Sequence, residues 1–537
     1  MFSNSSASIL ASPCTEVCFS SRKFWFLLLV FGTLLTFVPF FSQPTYRIDV
    51  LHQVGIGREY VAGTYIFPAF STWILNGVSI LTGHAHITPY LTAALLSILS
   101  IYGTARLGME FLSPTVARLG AFSLVAYWYF NVGAAMYNNN AAMTFFWIYA
   151  IWMFILALRK NLWRYWFLTG LFLGLSLISK YTGIIIILTI LIYMFQNANA
   201  RQYWKSFGPY ISIFTTILVF LPNFLFLIQH SEEIFGYIGS KRETETFLNF
   251  FLLLFSGWMK QLLIISPLLL IYYLVCKPLQ LETEKKQPHY KNFLPFMLFC
   301  PCLIQIILQI LTGVAFSQNS YGFQLWAIMG ITVFYVFHIS ITKKKILLVL
   351  SLTIFLACVE MISLPISCFF SSYFLAKPSI RFFPAQELAR QVDILWSNQY
   401  PHIPCPTVSG EGSYPWHAGV FSKFRPTIND PNIGPWCSDE IVLKKGGVVL
   451  WNAAKSGATV PKHVQKRFPS IQNVKFLHLT SLYSSSFKIP VLRDVLRAVV
   501  RKLQRRTERE ISTRSIIKKN KDVPQERIGI GIIPPKL

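Results

Sequence analysis

The sequence predicts a polytopic α-helical membrane protein with a small C-terminal α/β domain outside the membrane. The chain has 537 residues, of which 53% are hydrophobic and 13% are charged, whereas ordinary soluble domains carry about 25% charged residues. Its apolar runs are also long and numerous, and roughly 20 apolar residues suffice to cross the hydrocarbon core. These observations argue against a soluble fold and predict about eleven transmembrane helices.

Hydropathy places the eleven spans to within several residues at each end. The first is expected to be a retained anchor, because its apolar run is long and no small-residue cleavage pattern follows it. The predicted spans are 24–42, 87–105, 116–136, 141–158, 165–179, 181–195, 208–229, 249–275, 293–315, 321–340 and 346–370.

The distribution of Lys and Arg sets the predicted orientation, because these residues concentrate in cytoplasmic loops. If the N-terminus is cytoplasmic, most of them lie in inner loops. The outer loops then hold only Arg47, Arg58, Lys180, Lys241 and Arg242. The region after residue 370 is therefore expected on the outer face.

Changes of composition divide the chain. After residue 370 polarity becomes mixed, with a helical apolar spacing at 385–396 and a short buried strand at 446–451. The end of the chain is rich in Arg and Lys and is expected to be loosely structured or amphipathic. The predicted regions are a transmembrane domain at 1–370 with outer loop one at 43–86, a small periplasmic α/β domain at 371–491, and a basic tail at 492–537.

Two features argue against nucleic acid and a metal ion as partners. The formal net charge of +26 is accounted for by inner loops and the tail, and no basic-aromatic pattern indicates nucleic acid binding. The spacing of Cys14 and Cys18 lacks a second pair, so no metal site is expected there. A disulfide between Cys405 and Cys437, with Cys368 as a competitor, is left open.

Outer loop one concentrates scarce charges directly after the first span, in the stretch YRIDVLHQVGIGREYVAGTYIFPAF at 46–70. Asp49 is the first carboxylate after the span. A carboxylate held at the membrane surface can accept a proton from a hydroxyl group, as a general base does. The structural alternative is that Asp49 only pairs with Arg47 or Arg58.

The stretch IDVLHQVGIGREYVAGTYIFPAFSTW resembles the first outer loop of a family of membrane glycosyltransferases of GT-C type. These are the dolichyl-phosphate-mannose protein mannosyltransferase-like enzymes, in the superfamily that includes lipid A aminoarabinose transferase. The alphaproteobacterial branch with lipopolysaccharide galacturonosyl transferases is the most similar. The positions that correspond to the family pattern are Asp49, Gly57, Arg58, Glu59, Gly63, Pro68 and Trp73.

Further segments resemble the family in order along residues 40–450. They are MYNNNAAMTFFWIYAIWMF at 136–154, GLFLGLSLISKYTGIIIIL at 170–188, LPNFLFLIQH at 221–230 and NDPNIGPW at 429–436. The chain departs from the pattern where His52 replaces a glutamate, Ile66 and Phe67 replace a Lys-His pair, and Ala69 replaces a proline. These departures leave open a different acceptor, substitute cations, or an inactive member of the fold.

The resemblance implies transfer of a sugar from a polyprenyl phosphate to a lipid or glycan hydroxyl, with lipid A or lipopolysaccharide core as acceptor by analogy. Site roles follow from the same resemblance. They are catalysis for Asp49 and Glu59, donor phosphate binding for Arg58, Lys180, Lys241 and Arg242, and substrate binding for Asn138, Asn140 and Tyr181. No cofactor is implied with certainty, and a divalent metal stays open.

The resemblance also implies a bacterial inner membrane, a cytoplasmic N-terminus, contact with membrane lipids and a monomer. The alternatives are a transporter or flippase of lipid-linked sugars, or an inactive member of the same fold. Transporters often have internal repeats with matching interrupted helices, and the sequence has no matching halves. The identity of the sugar, the acceptor and the polyprenyl chain is not encoded in these motifs.

Overall fold

The structure is a computed structural model of the whole chain. It describes residues 19–240, 246–275, 290–315, 322–338, 342–374, 382–456, 459–480 and 525–535.

Helices dominate the part of the chain before residue 375. The helices of this part are α1 (Ser21–Ser42), α2 (Ile48–Gly57), α3 (Phe70–Leu81), α4 (Thr88–Gly108), α5 (Pro114–Phe122), α6 (Asn139–Lys160), α7 (Trp163–Ser179), α8 (Ile184–Gln196), α9 (Ala198–Arg201), α10 (Gly208–Gln229), α11 (Ser231–Ser240), α12 (Phe247–Val275), α13 (Phe293–Thr312), α14 (Met329–Val336) and α15 (Lys343–Phe374).

Seven helices among the described residues are long and apolar enough to cross a membrane. They are α1, α4, α6, α10, α12, α13 and α15. An eighth span arises if the bent pair Tyr181–Gln196 and Ala198–Lys205, which meets at 96°, crosses as one. The structure thus confirms the predicted polytopic helical class, while the predicted number of eleven spans is not established.

Two predicted spans are interrupted in the structure. In the predicted span 116–136, α5 ends at Phe122 and is followed by 3₁₀ turns at Ser123–Ala126 and Trp128–Phe130. In the predicted span 321–340, the described residues 322–338 contain one α-helix, α14. Irregular backbone at membrane depth is tolerated where protein covers it, and residues 119–135 are almost entirely buried.

The interruption lets two short helices cross closely. A Cβ atom on Gly330 would lie 2.0 Å from the carbonyl oxygen of Gly120, so only glycine fits at position 330 of this crossing. The side chain of Asn131 donates hydrogen bonds to the carbonyls of Val125 and Ala357, at 3.0 and 3.1 Å. The buried amide of Asn131 therefore bonds one carbonyl of the irregular segment and one of α15. Carbonyl groups without a hydrogen-bond partner would be costly in an apolar interior.

The C-terminal region confirms the predicted α/β domain. Its elements are α16 (Ala385–Gln399), β1 (Thr407–Gly410), α17 (Tyr414–Phe421), β2 (Thr427–Ile428), α18 (Asp439–Lys445), β3 (Gly447–Asn452), α19 (Ala453–Ser456), α20 (Lys462–Arg467), β4 (Gln472–Thr480) and β5 (Gln525–Ile533). The helix predicted at 385–396 corresponds to α16, and the strand predicted at 446–451 corresponds to β3.

The sheet has strand order β2-β1-β3-β5-β4. Strand β1 pairs in parallel with β2 and β3, whereas β5 is antiparallel to both β3 and β4. The sequence predicts a basic tail at 492–537. In the structure, residues 525–533 of this region form β5, which lies between β3 and β4 in the sheet. Its residues Ile528, Ile530 and Ile532 are buried, and they alternate with Gly529 and Gly531. The rest of the predicted tail, at 492–524, lies outside the described residues.

The disulfide between Cys405 and Cys437 that the sequence leaves open is absent from the structure. Cys405 and Cys437 are both buried free thiols, and the competitor Cys368 is also free.

Helix α2 of outer loop one packs directly on α17 of the C-terminal domain. A Cβ atom on Gly55 would lie 2.8 Å from the Trp416 ring and 2.9 Å from the Ile428 side chain. His52 meets the edge of the same Trp416 ring at a centroid distance of 4.4 Å. Loop one is therefore attached to the outer domain through a close helix contact.

The outer domain also buries an imidazole. His417 on α17 is 0% exposed, and neither ring nitrogen has a hydrogen-bond partner among the described residues. Its ring lies 4.5 Å from that of Phe383. Burial lowers the pKa of His417 to about 3, because an apolar surrounding disfavours the charged form.

The close contact at Gly55 gives a first prediction. Gly55→Ala should destabilise the attachment of loop one, since an added methyl group in a packed contact typically costs about 1–3 kcal/mol. Limited proteolysis of the purified chain should then cut loop one faster. Gly77→Ala on α3 is the control, because a Cβ there meets nothing within 4 Å. Equal cleavage of the two variants would contradict the contact.

Burial of His417 predicts a pH dependence of stability. The folded pKa lies below the unfolded value of about 6.5, so below pH 6.5 the unfolded chain binds a proton that the folded chain does not. The free energy of unfolding should fall as pH drops from about 6.5 towards 3. Thermal unfolding followed by tryptophan fluorescence would measure this, and His417→Leu should reduce the slope. An unchanged slope in that variant would refute the assignment.

Candidate active site

Asp49 lies in the first turn of α2, where outer loop one leaves the first span. Its side chain is exposed, and the carboxylate makes no salt bridge with Arg47 or Arg58 and no hydrogen bond among the described residues. Its charge nevertheless acts on Lys180 and on His52. No ion pair joins Asp49 to Arg47 or Arg58 among the described residues, although the charge of Asp49 also acts on Arg47.

Lys180 follows the last residue of α7 and has an extended backbone, with φ −158° and ψ 137°. This residue separates α7 from the 3₁₀ turn Tyr181–Gly183 that precedes α8. Its Nζ donates a hydrogen bond of 2.5 Å to Oδ1 of Asn140. The ammonium group is therefore directed at a buried amide of α6, whereas a snorkelling lysine would extend to the headgroups.

The three consecutive asparagines have different positions. The side chain of Asn138 accepts the backbone N–H of Asn140 at 2.9 Å and so caps the N-terminus of α6. Asn140 is 3% exposed and receives Lys180. Asn139 is the first residue of α6 and is only half-buried. Asn138 caps the start of α6, and Asn140 in its first turn accepts the hydrogen bond from Lys180. The two asparagines together fix the position of Lys180.

Tyr181 lies beside α10. Its hydroxyl is buried and has no hydrogen-bond partner among the described residues, and Oδ1 of Asn223 is in the same state. The two side chains are close enough to interact. Asn223 also donates from Nδ2 to the carbonyl of Ala62 in loop one at 3.0 Å. The sequence analysis does not single out Asn223, although an amide directly after Pro222 within an apolar span is a signal for it.

Arg58 and Glu59 face the outer domain. The guanidinium group of Arg58 donates to the carbonyls of Gly419 and Val420 at the end of α17, at 3.1 and 3.2 Å. Glu59 accepts a long hydrogen bond of 3.5 Å from Thr427. Burial raises the pKa of Glu59, while Thr427 and Arg58 act in the opposite direction. Both residues therefore join loop one to the C-terminal domain.

The predicted site residues thus fall into two groups at opposite ends of α2. Asp49 lies in the first turn of α2 and Glu59 lies two residues beyond its last residue, Gly57; from Asp49 to Gly57 the helix rises by about 12 Å at about 1.5 Å per residue. Asp49 shares its end with Lys180 and Asn140, whereas Arg58 and Glu59 lie at the other end. Two carboxylates at this separation do not act on the same atom.

Two predicted cations, Lys241 and Arg242, lie outside the described residues. The preceding helix α11 ends at Ser240 and brings Tyr237 into the electrostatic range of Asp49. Tyr237 was not predicted as a site residue, and no signal in the sequence distinguishes it from other interfacial tyrosines.

The departures from the family pattern have structural consequences. Ile66 and Phe67 lie in a tight turn, in which the backbone N–H of Thr64 donates a hydrogen bond of 3.0 Å to the carbonyl of Phe67. Both pack into the apolar cluster of the outer domain. His52 packs on Trp416, and burial lowers its pKa. Side chains that replace charged family residues therefore contribute to the contact between loop one and the outer domain.

The predicted element at 429–436 lies at the same contact. Asp430 accepts a hydrogen bond of 2.9 Å from the indole of Trp416, and the carbonyl of Ile433 accepts the backbone N–H of Tyr65 at 2.8 Å. As for metals, the described residues contain no group of three or more His, Cys, Asp or Glu side chains that could hold an ion.

Comparison with known families gives one match. Residues 67–226 match the family model described as dolichyl-phosphate-mannose-protein mannosyltransferase. This match confirms the resemblance to membrane glycosyltransferases of GT-C type. It does not separate the alphaproteobacterial branch from others, so that branch stays a prediction. The comparison with curated proteins gives no match.

Several solved structures resemble the chain at low identity. ArnT from Cupriavidus metallidurans bound to undecaprenyl phosphate has TM-score 0.42 and 11% identity, over 81% of this chain and 94% of that one. The archaeal oligosaccharyltransferase AglB from Archaeoglobus fulgidus has TM-score 0.43 and 13% identity, over 87% and 75%. The arabinofuranosyltransferase AftD from Mycobacteria has TM-score 0.45 and 11% identity, over 86% and 37%.

Proposed function

We propose that this protein transfers a sugar from a polyprenyl-phosphate donor to a hydroxyl group of a lipid or glycan acceptor on the outer face of the membrane. The observation that carries the proposal is the exposed Asp49 carboxylate, which acts on Lys180 at the point where loop one leaves the first span. The family match, which includes Lys180, Asn138, Asn140 and Tyr181, supports the same reaction class.

Asp49 is the proposed general base. It is exposed, and within the described residues no cation bonds to it, so its oxygens are accessible to an acceptor hydroxyl. The acceptor oxygen attacks the anomeric carbon while its proton passes to the Asp49 carboxylate. The bond between the anomeric carbon and the phosphate oxygen breaks, and the bonding electron pair leaves with the polyprenyl phosphate. A carboxylate near the anomeric carbon also stabilises an oxocarbenium-like transition state.

Lys180 is the proposed phosphate-binding group. Departure of a phosphate needs little acid assistance, but the growing negative charge needs a cation held in place beforehand. The hydrogen bond to Asn140 fixes the ammonium group without neutralising it, because an amide carries no charge. Asn140 is therefore a positioning residue for Lys180. Tyr181, whose buried hydroxyl lies close enough to Asn223 to interact with it, is proposed to bind the donor.

Arg58 and Glu59 are assigned a different role from the one the resemblance implies. The carbonyls of Gly419 and Val420 already hold Arg58 at the C-terminal domain, and both residues lie beyond the last residue of α2, whereas Asp49 lies in its first turn. We propose that Glu59 acts by orienting loop one rather than as a second catalytic carboxylate.

The cell membrane of a bacterium, with lipid A or lipopolysaccharide core as acceptor, follows only by analogy from the loop-one resemblance. A transporter or flippase of lipid-linked sugars is the rival class, and product analysis separates the two. A transferase releases free polyprenyl phosphate when given donor and acceptor, whereas a flippase leaves the donor intact.

Replacement of Lys180 tests the phosphate-binding role. Lys180→Ala should weaken use of the lipid donor, because the growing phosphate charge loses its cation, while thermal stability changes little. Lys180→Arg should restore only part of the activity, since a planar guanidinium does not replace a compact ammonium group. Initial rates against donor concentration would be measured. Lys205→Ala, which removes an exposed lysine, is the control. Full activity of Lys180→Ala would make Lys180 a structural residue.

Replacement of Asp49 tests the reaction itself. Asp49→Asn keeps the shape of the side chain but removes the proton acceptor, so release of polyprenyl phosphate should fall at least about 100-fold. Expression and donor binding should persist. Glu59→Gln is the matched control and should cost much less. If Asp49→Asn retains transfer while Glu59→Gln abolishes it, the wrong carboxylate is assigned. If both variants retain transfer, general-base catalysis from loop one is refuted.

A further inference from the structure

A continuous line of buried hydrogen bonds joins the start of α6 to α2. The hydroxyl of Tyr137, the residue before the helix cap Asn138, donates to the carbonyl of Ser71 on α3 at 2.5 Å. The hydroxyl of Ser71 in turn donates to Oε1 of Gln53 on α2 at 2.8 Å. Tyr137 and Ser71 are 0% exposed, and Gln53 is 2% exposed. We call these three residues the α2 bridge, because they connect α6, α3 and α2.

One end of the α2 bridge lies beside the residues that hold Lys180. Asn138 directly follows Tyr137 and caps α6. Asn140, in the first turn of α6, accepts the hydrogen bond from Lys180. The Tyr137 ring also belongs to the same buried apolar cluster as Leu75 of α3, which limits its movement. The bridge therefore begins at the same end of α6 that fixes the ammonium group.

The other end of the α2 bridge lies one helical turn after Asp49. Gln53 and Asp49 are four residues apart on α2, and residues at this spacing are neighbours on one face of a helix. Because Asp49 has no hydrogen bond of its own among the described residues, its position depends on that of α2. The bond from Ser71 to Gln53 fixes the rotation of α2 about its axis, and with it the direction of the Asp49 side chain.

Helices α2 and α3 also meet closely at the far end of α2. A Cβ atom on Gly57 would lie 2.6 Å from the carbonyl oxygen of Thr72 on α3, so the two backbones touch there. This second contact prevents α2 from pivoting about the bond between Gln53 and Ser71. The α2 bridge has no buried side-chain oxygen or nitrogen without a partner among the described residues. Buried polar networks that are fully satisfied specify one arrangement, since each bond requires a distance and a direction.

We propose that the three residues of the α2 bridge are positioning residues, which set the Asp49 carboxylate against the acceptor hydroxyl while Lys180 stays fixed at the start of α6. The inference rests on the proposed function, because it takes Asp49 as the general base. A base must lie within hydrogen-bond reach of the proton that it accepts, and a displacement of about 1 Å costs up to about 100-fold in rate. None of the three residues is among the site residues that the sequence predicts.

Two substitutions at opposite ends of the α2 bridge test the proposal on the purified full chain. Gln53→Met keeps the length of the side chain but removes the acceptor, and Tyr137→Phe removes only a hydroxyl group. Thr72→Val is the matched control, because Thr72 is also 0% exposed on α3 while its hydroxyl donates to the carbonyl of Ala69 in its own turn at 2.6 Å. A lipid extract of the source membrane in nanodiscs supplies donor and acceptor for rates of polyprenyl phosphate release. Undecaprenyl phosphate in detergent micelles is the binding probe.

Both bridge variants should lower kcat by about 10- to 100-fold, because the carboxylate is displaced from the acceptor hydroxyl. Their affinity for undecaprenyl phosphate should stay within about twofold of wild type, since Asn140 still holds Lys180. Thr72→Val should match wild type in both measurements. In the Asp49→Asn background, Gln53→Met should cost less than about twofold, because residues that act through one group are not additive.

Three kinetic outcomes overturn the proposal. The first is a wild-type kcat in both bridge variants. The second is an equal loss of rate from Gln53→Met with and without the Asp49 carboxylate, which would mean that Gln53 does not act through Asp49. The third is a loss of affinity for undecaprenyl phosphate as large as the loss of kcat, which would make the α2 bridge a general support of the fold.

Hydrogen–deuterium exchange gives a readout that does not depend on catalysis. Loss of the bond from Ser71 should speed exchange of the α2 amides, in peptides that cover 46–59, in Gln53→Met but not in Thr72→Val. A helix of ten residues has little stability of its own, so its protection reports the contacts that hold it. Unchanged exchange in Gln53→Met overturns the positioning role whatever the rates are.

The outcome stays distinguishable from that of the proposed function. If Asp49→Asn releases polyprenyl phosphate as wild type does, the base assignment of the proposed function is refuted, and the positioning role is refuted with it. If Asp49→Asn is inactive while Gln53→Met releases polyprenyl phosphate at the wild-type rate, only the positioning role fails and the base assignment stands.

Discussion

Helix α2 is held between the membrane bundle and the outer domain, and the candidate site depends on this packing. On the bundle side, the Ser71 hydroxyl bonds Gln53 at 2.8 Å, and the buried Tyr137 bonds the carbonyl of Ser71 at 2.5 Å. On the other side, Gly55 meets Trp416. A ten-residue helix is not stable alone in water, so contacts on both sides are what place Asp49 at the membrane surface.

The hydrogen bonds that hold the cations Lys180 and Arg58 in place go to uncharged groups. Lys180 is bonded by an amide, and two backbone carbonyls hold Arg58. A carboxylate partner would neutralise each cation, whereas an amide or carbonyl satisfies its donors and leaves its charge available.

The two ends of α2 divide the chemistry. The N-terminal end carries Asp49, whose charge acts on Lys180 and where we propose donor cleavage, and Arg58, just beyond the C-terminal end, is bonded to carbonyls of α17. The outer domain takes part in this division because α17 supplies the carbonyls that orient Arg58 and the ring that packs on α2. The C-terminal domain is therefore in direct contact with loop one.

Composition and hydropathy determine the membrane class, the approximate spans and the presence of an outer α/β domain, because burial in lipid requires long apolar runs whatever the tertiary fold. Motif resemblance singles out loop one, Lys180 and the asparagines before α6. Only the tertiary structure decides that Asp49 lies in the first turn of α2 while Glu59 lies beyond its last residue, that Arg58 faces the C-terminal domain, and that 525–533 completes the sheet. Sequence motifs specify residue types along the chain. The packing of α2 and of the distant strand β5 decides which of these residues meet, because those contacts join residues that are far apart in the sequence.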